Sequence, residues 1–351
     1  MKIAIVGSVG VPASYGGFET LVESLIGGDE HQFTVYCSSK YYELRLATYK
    51  GAKLVYIPLN ANGPMSVVYD IFSCLHALLA GHRNLLILGV SGAIIFPVLR
   101  LLFPSVKLVT NIDGIEWRRE KWQGLAKRFL KFSETVAVNY STKIVADNEA
   151  IADYVNHAYR RDCKTIAYGG DHALAVPDEL VNLSALDIDR QYALALCRIE
   201  PENNVHIILE AFANSQQELV FVGNWYASDY GKRLHDQYSS KLNLRLLDPI
   251  YDIKVLWVYR TNCSAYIHGH SAGGTNPSLV EMMHFAKPVI AFDCVYNRAT
   301  LENKGLYFGT SDDLCRHMKS FCQHSDPEMQ EIAQRRYTWK IVKQQYLSLF
   351  E

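Results

Sequence analysis

Apolar residues gather in short runs along the chain, and stretches with helical spacing of apolar positions separate the runs. The runs fall at 2–6, 33–37, 53–57, 84–88, 106–110 and 143–146, then at 192–197, 218–222, 244–247, 265–268, 288–292 and 306–308. Short runs that are apolar throughout read as strands buried on both faces, and intervening helices imply parallel sheets. Phe18, Leu21, Val22 and Leu25 fall at i, i+3, i+4 and i+7, which predicts an amphipathic first helix. The rhythm pauses over 168–190, where Gly169-Gly170-Asp171 and Pro177-Asp178-Glu179 stand among few apolar positions. A last helical stretch, 332–350, carries Tyr337, Trp339, Ile341, Val342 and Tyr346. The expected architecture is α/β, with doubly wound domains over 1–170 and 171–330 facing a central cleft and a C-terminal helix, 331–351, crossing back to the first. Ligands of such folds bind outside the strand C-termini.

Composition narrows the class. The chain has 351 residues, enough for two domains, with 49% hydrophobic and 20% charged residues, an ordinary globular balance. A net charge of -1 argues against a general nucleic-acid binder. The 8 cysteines form no C-x-x-C pair, so buried thiols in a reducing compartment are expected rather than a zinc site or disulfides. The apolar run at the start is too short for a secretory leader. The most apolar stretch, 85–103, is broken by Gly89, Gly92, Pro97 and Arg100, and reads as strand–turn–helix rather than a membrane span. The expected location is the cytoplasm.

Chemistry concentrates at predicted strand ends. The first strand runs into Gly7-Ser8-Val9-Gly10-Val11-Pro12-Ala13-Ser14-Tyr15-Gly16-Gly17 and a helix. Glycines admit close backbone approach, and a helix start offers free N–H groups to an anion, although a plain strand-to-helix turn would read the same way. The loop is not G-x-G-x-x-G, and the second strand ends in Cys37-Ser38-Ser39 with no acidic residue for a ribose, which disfavours a nicotinamide dehydrogenase. After the strand at 106–110 comes Asn111-Ile112-Asp113-Gly114-Ile115-Glu116-Trp117, with two carboxylates suited to sugar hydroxyls or general-base work; helix capping by Asp113 is the plainer alternative.

Between Trp117 and Phe132 six basic residues face one acidic residue, and Trp122, Leu125, Phe129 and Phe132 interleave at helical spacing. Such a helix suits an anionic lipid surface, with Lys121, Trp122, Lys127, Arg128 and Lys131 as the contacting residues. Apolar stripes of this kind more often line a core, so burial is the leading expectation.

In the second half, Arg198 follows a strand and offers a fork suited to phosphate, with pairing to Glu200 or Glu202 as the alternative. The segment from His268 to Glu281 passes through a small-residue turn into a helix begun by Asn276-Pro277. Backbone N–H groups there suit a diphosphate, and Glu281, a turn further on, suits ribose hydroxyls. The histidines at 268 and 270 have no metal-ligand spacing, so hydrogen bonding is expected of them.

Together these segments resemble the GT-B glycosyltransferases, and family 4 among them. Arg198-Ile199-Glu200-Pro201-Glu202-Asn203 is similar to the family's Gly-Arg-x-x-Pro-Glu-Lys segment, Phe221-Val222-Gly223-Asn224 to its Val-Gly-x-Gly strand end, and Gly273 through Glu281 to its Glu-x7-Glu segment. A bacterial subgroup of rhamnosyltransferases in capsule, O-antigen and exopolysaccharide assembly is closer, matched at Pro12 through Thr20, Asp113 through Trp117, Gly269 through Leu279 and Tyr296-Asn297-Arg298. The chain departs from the family at the diphosphate-binding Lys, which is Asn203, and at the first Glu of the pair, which is Gly273; the usual His of the first domain is replaced near Asp113.

The resemblance implies two Rossmann-like domains, the first for acceptor and the second for nucleotide sugar. It implies a retaining transfer without metal or cofactor, best assigned to L-rhamnose from dTDP-rhamnose onto a lipid-linked saccharide, with a UDP- or GDP-hexose as the alternative donor. Donor contacts fall to Gly16, Gly17, Arg198, Asn203, Gly223, His270, Gly273, Gly274, Thr275, Asn276, Pro277, Ser278 and Glu281, acceptor contacts to Tyr15, Asp113, Glu116 and Trp117, and catalysis to Asp113, Arg198 and Glu281. A lipid-linked acceptor adds the cytoplasmic face of the inner membrane as a peripheral location. A sugar-nucleotide epimerase and a non-catalytic donor-binding subunit are the competing classes on this fold.

Overall fold

The computed structural model describes every residue except 14–15, 29–30, 120–121, 177–185, 187–189 and 320–324; the predicted contacts Tyr15 and Lys121 and most of the 168–190 stretch, where the strand–helix rhythm pauses and a linker between the domains is expected, lie outside the described residues. The chain divides into two units, Met1–Tyr168 with Val342–Glu351, and Gly169–Ile341.

In the first unit the order is β1 (Lys2–Val6), α1 (Gly17–Leu25), β2 (Gln32–Ser38), β3 (Thr48–Tyr49), β4 (Ala52–Ile57), α2 (Ser66–Leu79), β5 (Asn84–Leu88), α3 (Phe96–Leu102), β6 (Lys107–Asn111), α4 (Gly124–Tyr140), β7 (Lys143–Ala146), α5 (Glu149–Tyr159) and β8 (Cys163–Thr165). The sheet order is β3-β4-β2-β1-β5-β6-β7-β8, parallel except for the β3–β4 hairpin. The strand order reverses between β1 and β5, a topological switch point, which is the usual ligand position in a doubly wound sheet.

The second unit holds β9 (Tyr192–Leu196), α6 (Val205–Ala213), β10 (Glu218–Val222), α7 (Asp229–Tyr238), β11 (Leu244–Leu247), α8 (Ile253–Asn262), β12 (Ala265–His268), α9 (Pro277–Met283), β13 (Val289–Phe292), α10 (Val295–Thr300), β14 (Leu306–Phe308), α11 (Ser311–Lys319) and α12 (Pro327–Arg336). Its sheet is parallel throughout, in the order β11-β10-β9-β12-β13-β14, with the reversal between β9 and β12. Arg198 follows β9 and His270 follows β12, so both sit at the switch point.

The core explains the pattern. Ile3, Ala4, Ile5 and Val6 of β1 are fully buried, as are Leu219, Val220, Phe221 and Val222 of β10, because helices cover both faces of each sheet. In α1, Leu21, Val22 and Leu25 point inward as the spacing predicts, but Phe18 is only partly covered and Glu19 takes a buried place.

The final helical stretch is two helices rather than one, α12 and then α13 (Trp339–Leu347). The break falls at Tyr337, whose carbonyl accepts from the Gly170 N–H (2.8 Å) and from His284 Nε2 (2.9 Å) and is lost to the helical ladder. Strands β3 and β8 have two and three residues, too few to show a pattern.

Candidate functional site

In the second unit the loops leaving β9 and β12 are sewn together. Ser271 gives its N–H (2.9 Å) and its hydroxyl (2.8 Å) to the Glu202 carbonyl, and Asn204 Nδ2 donates to the Gly269 carbonyl (2.8 Å). Asn203 is buried, donates through Nδ2 to the Arg198 carbonyl (2.6 Å) and meets His270 Nδ1 with Oδ1 (2.6 Å). The residue standing at the family's Lys position therefore fastens the frame from inside. A side chain at Gly269 would put Cβ 2.1 Å from the Asn203 carbonyl oxygen, so only glycine allows this approach.

Asn297, of the Tyr296-Asn297-Arg298 signature, is buried and donates to the carbonyls of His270 and Phe292, both at 2.8 Å. Gly273 has φ +97, and a Cβ there would stand 3.3 Å from His270 Nε2. Gly223 follows β10, and a Cβ there would lie 2.4 Å from the Ile199 side chain.

Arg198 is half exposed, with Glu200 at 3.5 Å, the pairing anticipated as an alternative. Asn276 caps α9: its Oδ1 accepts from the Ser278 N–H (3.0 Å) and hydroxyl (2.7 Å), with Pro277 in the first turn and Thr275 buried just before the cap. The Ser278 amide, expected to face a phosphate, is committed to that cap. His268 is buried with Nε2 unpartnered; burial first, then His270, holds its pKa well below the usual imidazole value, and it is neutral.

Glu281 has partners that spacing did not announce. Its Oε2 pairs with the Arg260 guanidinium of α8, and His172 Nε2 lies 3.4 Å from Oε1. Side-chain exposures of 14% for Glu281 and 8% for Arg260 make this a buried pair. Burial acts to raise the carboxyl pKa, but Arg260 and His172 outweigh it and hold it below the ordinary value. The available signal was the Gly169-Gly170 pair, which stands where the strand–helix rhythm pauses. A Cβ at Gly170 would lie 2.7 Å from the Glu281 nitrogen, so the Gly-Gly-Asp-His segment packs on α9 and carries His172 there.

In the first unit, Gly16 has φ +121 and a Cβ on Gly17 would meet the Tyr168 hydroxyl at 3.3 Å. The loop is held from α1 by carboxylates: Glu19 accepts from the Val9 N–H (2.8 Å) and Glu23 from the Ala13 N–H (2.6 Å). Two glutamates one turn apart were the available signal for this bracing.

Asp113 follows β6 with φ 59, a left-handed conformation that Asp and Asn tolerate best and that costs most other residues about 1–2 kcal/mol. Its N–H donates to Asn111 Oδ1 (2.8 Å), and Asn111 Nδ2 donates to the Tyr346 hydroxyl (2.7 Å). Glu116 accepts from Trp122 Nε1 (2.8 Å) and pairs with Arg119 at 3.4 Å.

The basic helix differs from expectation in two ways. Lys131, expected as a surface contact, is only partly exposed (38%) and its ammonium is engaged within the fold. Its ammonium donates to buried Glu134 (3.1 Å) and to the Tyr159 and Tyr154 hydroxyls, and lies 4.6 Å from the Trp117 ring centre. Charge pairing and cation–π attraction draw it inward. The apolar stripe is not core either: Leu125 is 81% and Phe132 59% exposed, because α4 buries the opposite face through Ser133, Glu134, Val136 and Ala137. Lys127 and Arg128 are exposed beside them.

Among the described residues no group of three or more His, Cys, Asp or Glu gathers as a metal site, and no helix is long and apolar enough to cross a membrane.

Known proteins share this architecture from end to end. Sucrose-phosphate synthase from Thermosynechococcus elongatus superposes with a TM-score of 0.80 at 14% identity, covering 99% of this chain and 98% of that one. Anabaena HepE in complex with UDP-glucose gives 0.74 at 18% identity, over 100% and 99%. The catalytic domain of starch synthase IV from Arabidopsis thaliana, bound to ADP and acarbose, gives 0.71 at 14%, over 99% and 98%. The fold is therefore GT-B, built of two Rossmann-like domains. Residues 179–335 match the family described as glycosyl transferases group 1, and residues 1–171 match a domain of unknown function, DUF1972. No curated protein sequence matches the chain. Fold and family match together make this protein a glycosyltransferase.

Proposed function

We propose that the protein moves a sugar from a nucleoside-diphosphate donor, held by the second unit, to a hydroxyl of an acceptor held by the first. The observation that carries this reading is Glu281, a carboxylate kept ionised and fixed by Arg260 and His172 in the helix that follows the β12 switch-point loop. An ionised carboxylate in that place accepts the ribose hydroxyls, and Arg198 meets the diphosphate. The bond from the anomeric carbon to the phosphate oxygen breaks, and the bond to the acceptor oxygen forms on the same face. The acceptor proton passes to the leaving phosphate, and Asp113 orients the acceptor hydroxyl. Charge developing on the phosphate is met by Arg198, a preorganised donor of the kind that supplies much of enzymatic rate enhancement.

The donor is dTDP-rhamnose by resemblance of the sequence signatures, with UDP-glucose as the second candidate because HepE binds it. The acceptor is a lipid-linked saccharide. The exposed Leu101, Leu102, Leu125 and Phe132, beside Lys127 and Arg128, support docking of the first unit on anionic lipid. A thermal-shift panel of dTDP, UDP, GDP and their sugars tests the donor, since a ligand at 100 times its Kd adds about 2.7 kcal/mol of stability. Wild-type turnover in both Arg198→Ala and Glu281→Ala, with donor below KM, would refute the assignment. Unchanged vesicle binding after Lys127→Glu and Arg128→Glu together would remove the membrane surface.

A further inference from the structure

We infer that α13 is a positioning element for both candidate carboxylates: Trp339 acts on Glu281 through His172, and Tyr346 acts on Asp113 through Asn111. The inference rests on the roles proposed for those two carboxylates.

Each arm follows from donors and acceptors. An indole N–H only donates, so the 2.9 Å contact from Trp339 Nε1 to His172 Nδ1 makes that nitrogen the acceptor. The imidazole proton then sits on Nε2, the atom facing Glu281 Oε1 at 3.4 Å. Without the indole, His172 is free to take the other tautomer and present a lone pair to the carboxylate. Trp339 is itself fixed, because its backbone N–H donates to Asp171 Oδ1 (2.7 Å) and its ring fills the space above Gly169.

The second arm works on backbone. A peptide N–H also only donates, so Asn111 turns Oδ1 toward Asp113 and Nδ2 toward the buried Tyr346 hydroxyl. That hydroxyl holds the Asn111 rotamer, and Asn111 holds the left-handed turn that presents Asp113. Trp339 and Tyr346 lie seven positions apart in one nine-residue helix, the first within the second unit and the other within the first.

The two arms predict a split that a merely structural helix would not give. Trp339→Phe weakens UDP and dTDP binding about 5- to 10-fold by calorimetry, while kcat for transfer from dTDP-rhamnose or UDP-glucose to a lipid-linked saccharide is unchanged; His172→Ala weakens the same binding at least as much. Tyr346→Phe lowers that kcat about 10-fold, leaves nucleotide Kd unchanged, and speeds hydrogen exchange at the Asp113 amide at least 10-fold. In a Glu281→Gln background Trp339→Phe adds nothing, and in an Asp113→Asn background Tyr346→Phe adds nothing. Equal losses in both parameters, additive double variants, or unchanged Asp113 exchange would overturn the inference. If Glu281→Gln kept nucleotide affinity and Asp113→Asn kept kcat, the underlying assignment would fail instead. If those two were impaired while both phenylalanine variants matched wild type, α13 alone would lose its role.

Discussion

Glu281 and Asp113 are both carboxylates near strand ends, yet the molecule holds them by opposite means. Glu281 sits in ordinary helix, and its side chain is seized by an arginine and a histidine. At Asp113 the backbone is held in a conformation few residues accept, and Asn111 and the Tyr346 hydroxyl brace it. The first arrangement fixes charge and the second fixes direction. The proposed roles match this difference: an anion that accepts hydroxyls is served by the first, and a group that aims at a hydroxyl by the second.

The largest effect expected from this contrast comes from Glu281→Ala. It strands Arg260 in the interior and should cost about 3–5 kcal/mol, read as a lowered denaturant midpoint. Adding Arg260→Leu should restore most of the stability and none of the nucleotide affinity. Recovery of both would show that Glu281 serves the fold alone.

A third carboxylate, Asp70, shows what burial does without a cation. It is buried, with Ser91 as a hydrogen-bond donor, and burial raises its pKa from 3.8 to about 7 despite help from Ser91 and the Gly92 N–H. Its folded pKa lies above the unfolded one, so its contribution to stability is complete below pH 4 and is lost as pH rises toward 7. Asp70→Asn should flatten that part of the stability profile by a few kcal/mol, at about 1.4 kcal/mol per pKa unit. A wild-type profile already flat from pH 4 to 7 would contradict the assigned environment.

The smallest effect separates backbone from side chain at Asp113. Asp113→Ala should lose about 1 kcal/mol to the left-handed turn, and Asp113→Gly should not. Both should lose transfer activity about 100-fold. Activity surviving in the glycine variant would leave the turn, and not the carboxylate, as the functional feature.

Much of this was readable before any coordinates, for a physical reason. Strands covered on both faces must be apolar throughout, so β1, β5, β10 and β12 announced themselves. The positions of Arg198 and His270 after β9 and β12 and of Glu281 in α9 were legible because turn residues and a helix-starting proline mark the ends of those strands. What could not be read was partnership. Arg260 lies on a different helix from Glu281, and Tyr346 is 235 residues from Asn111, so nothing local signals either bond. The α4 stripe misled for a related reason: helical spacing states that a face exists, and only the neighbours decide which face is covered. Lys131, whose ammonium is engaged by Glu134 and two tyrosines, and Phe132, which is 59% exposed, are adjacent in sequence and show how little spacing says about neighbours.

Asn203 changes how this enzyme should respond to electrolyte. Where the family that this segment resembles places a lysine, this chain places an amide whose two ends are spent on the protein itself. Arg198 remains as the cation of that segment, already near Glu200. Mobile ions have correspondingly little to screen, so nucleotide affinity should decline only gently with ionic strength, its selectivity resting on a rigid frame in place of attraction at a distance.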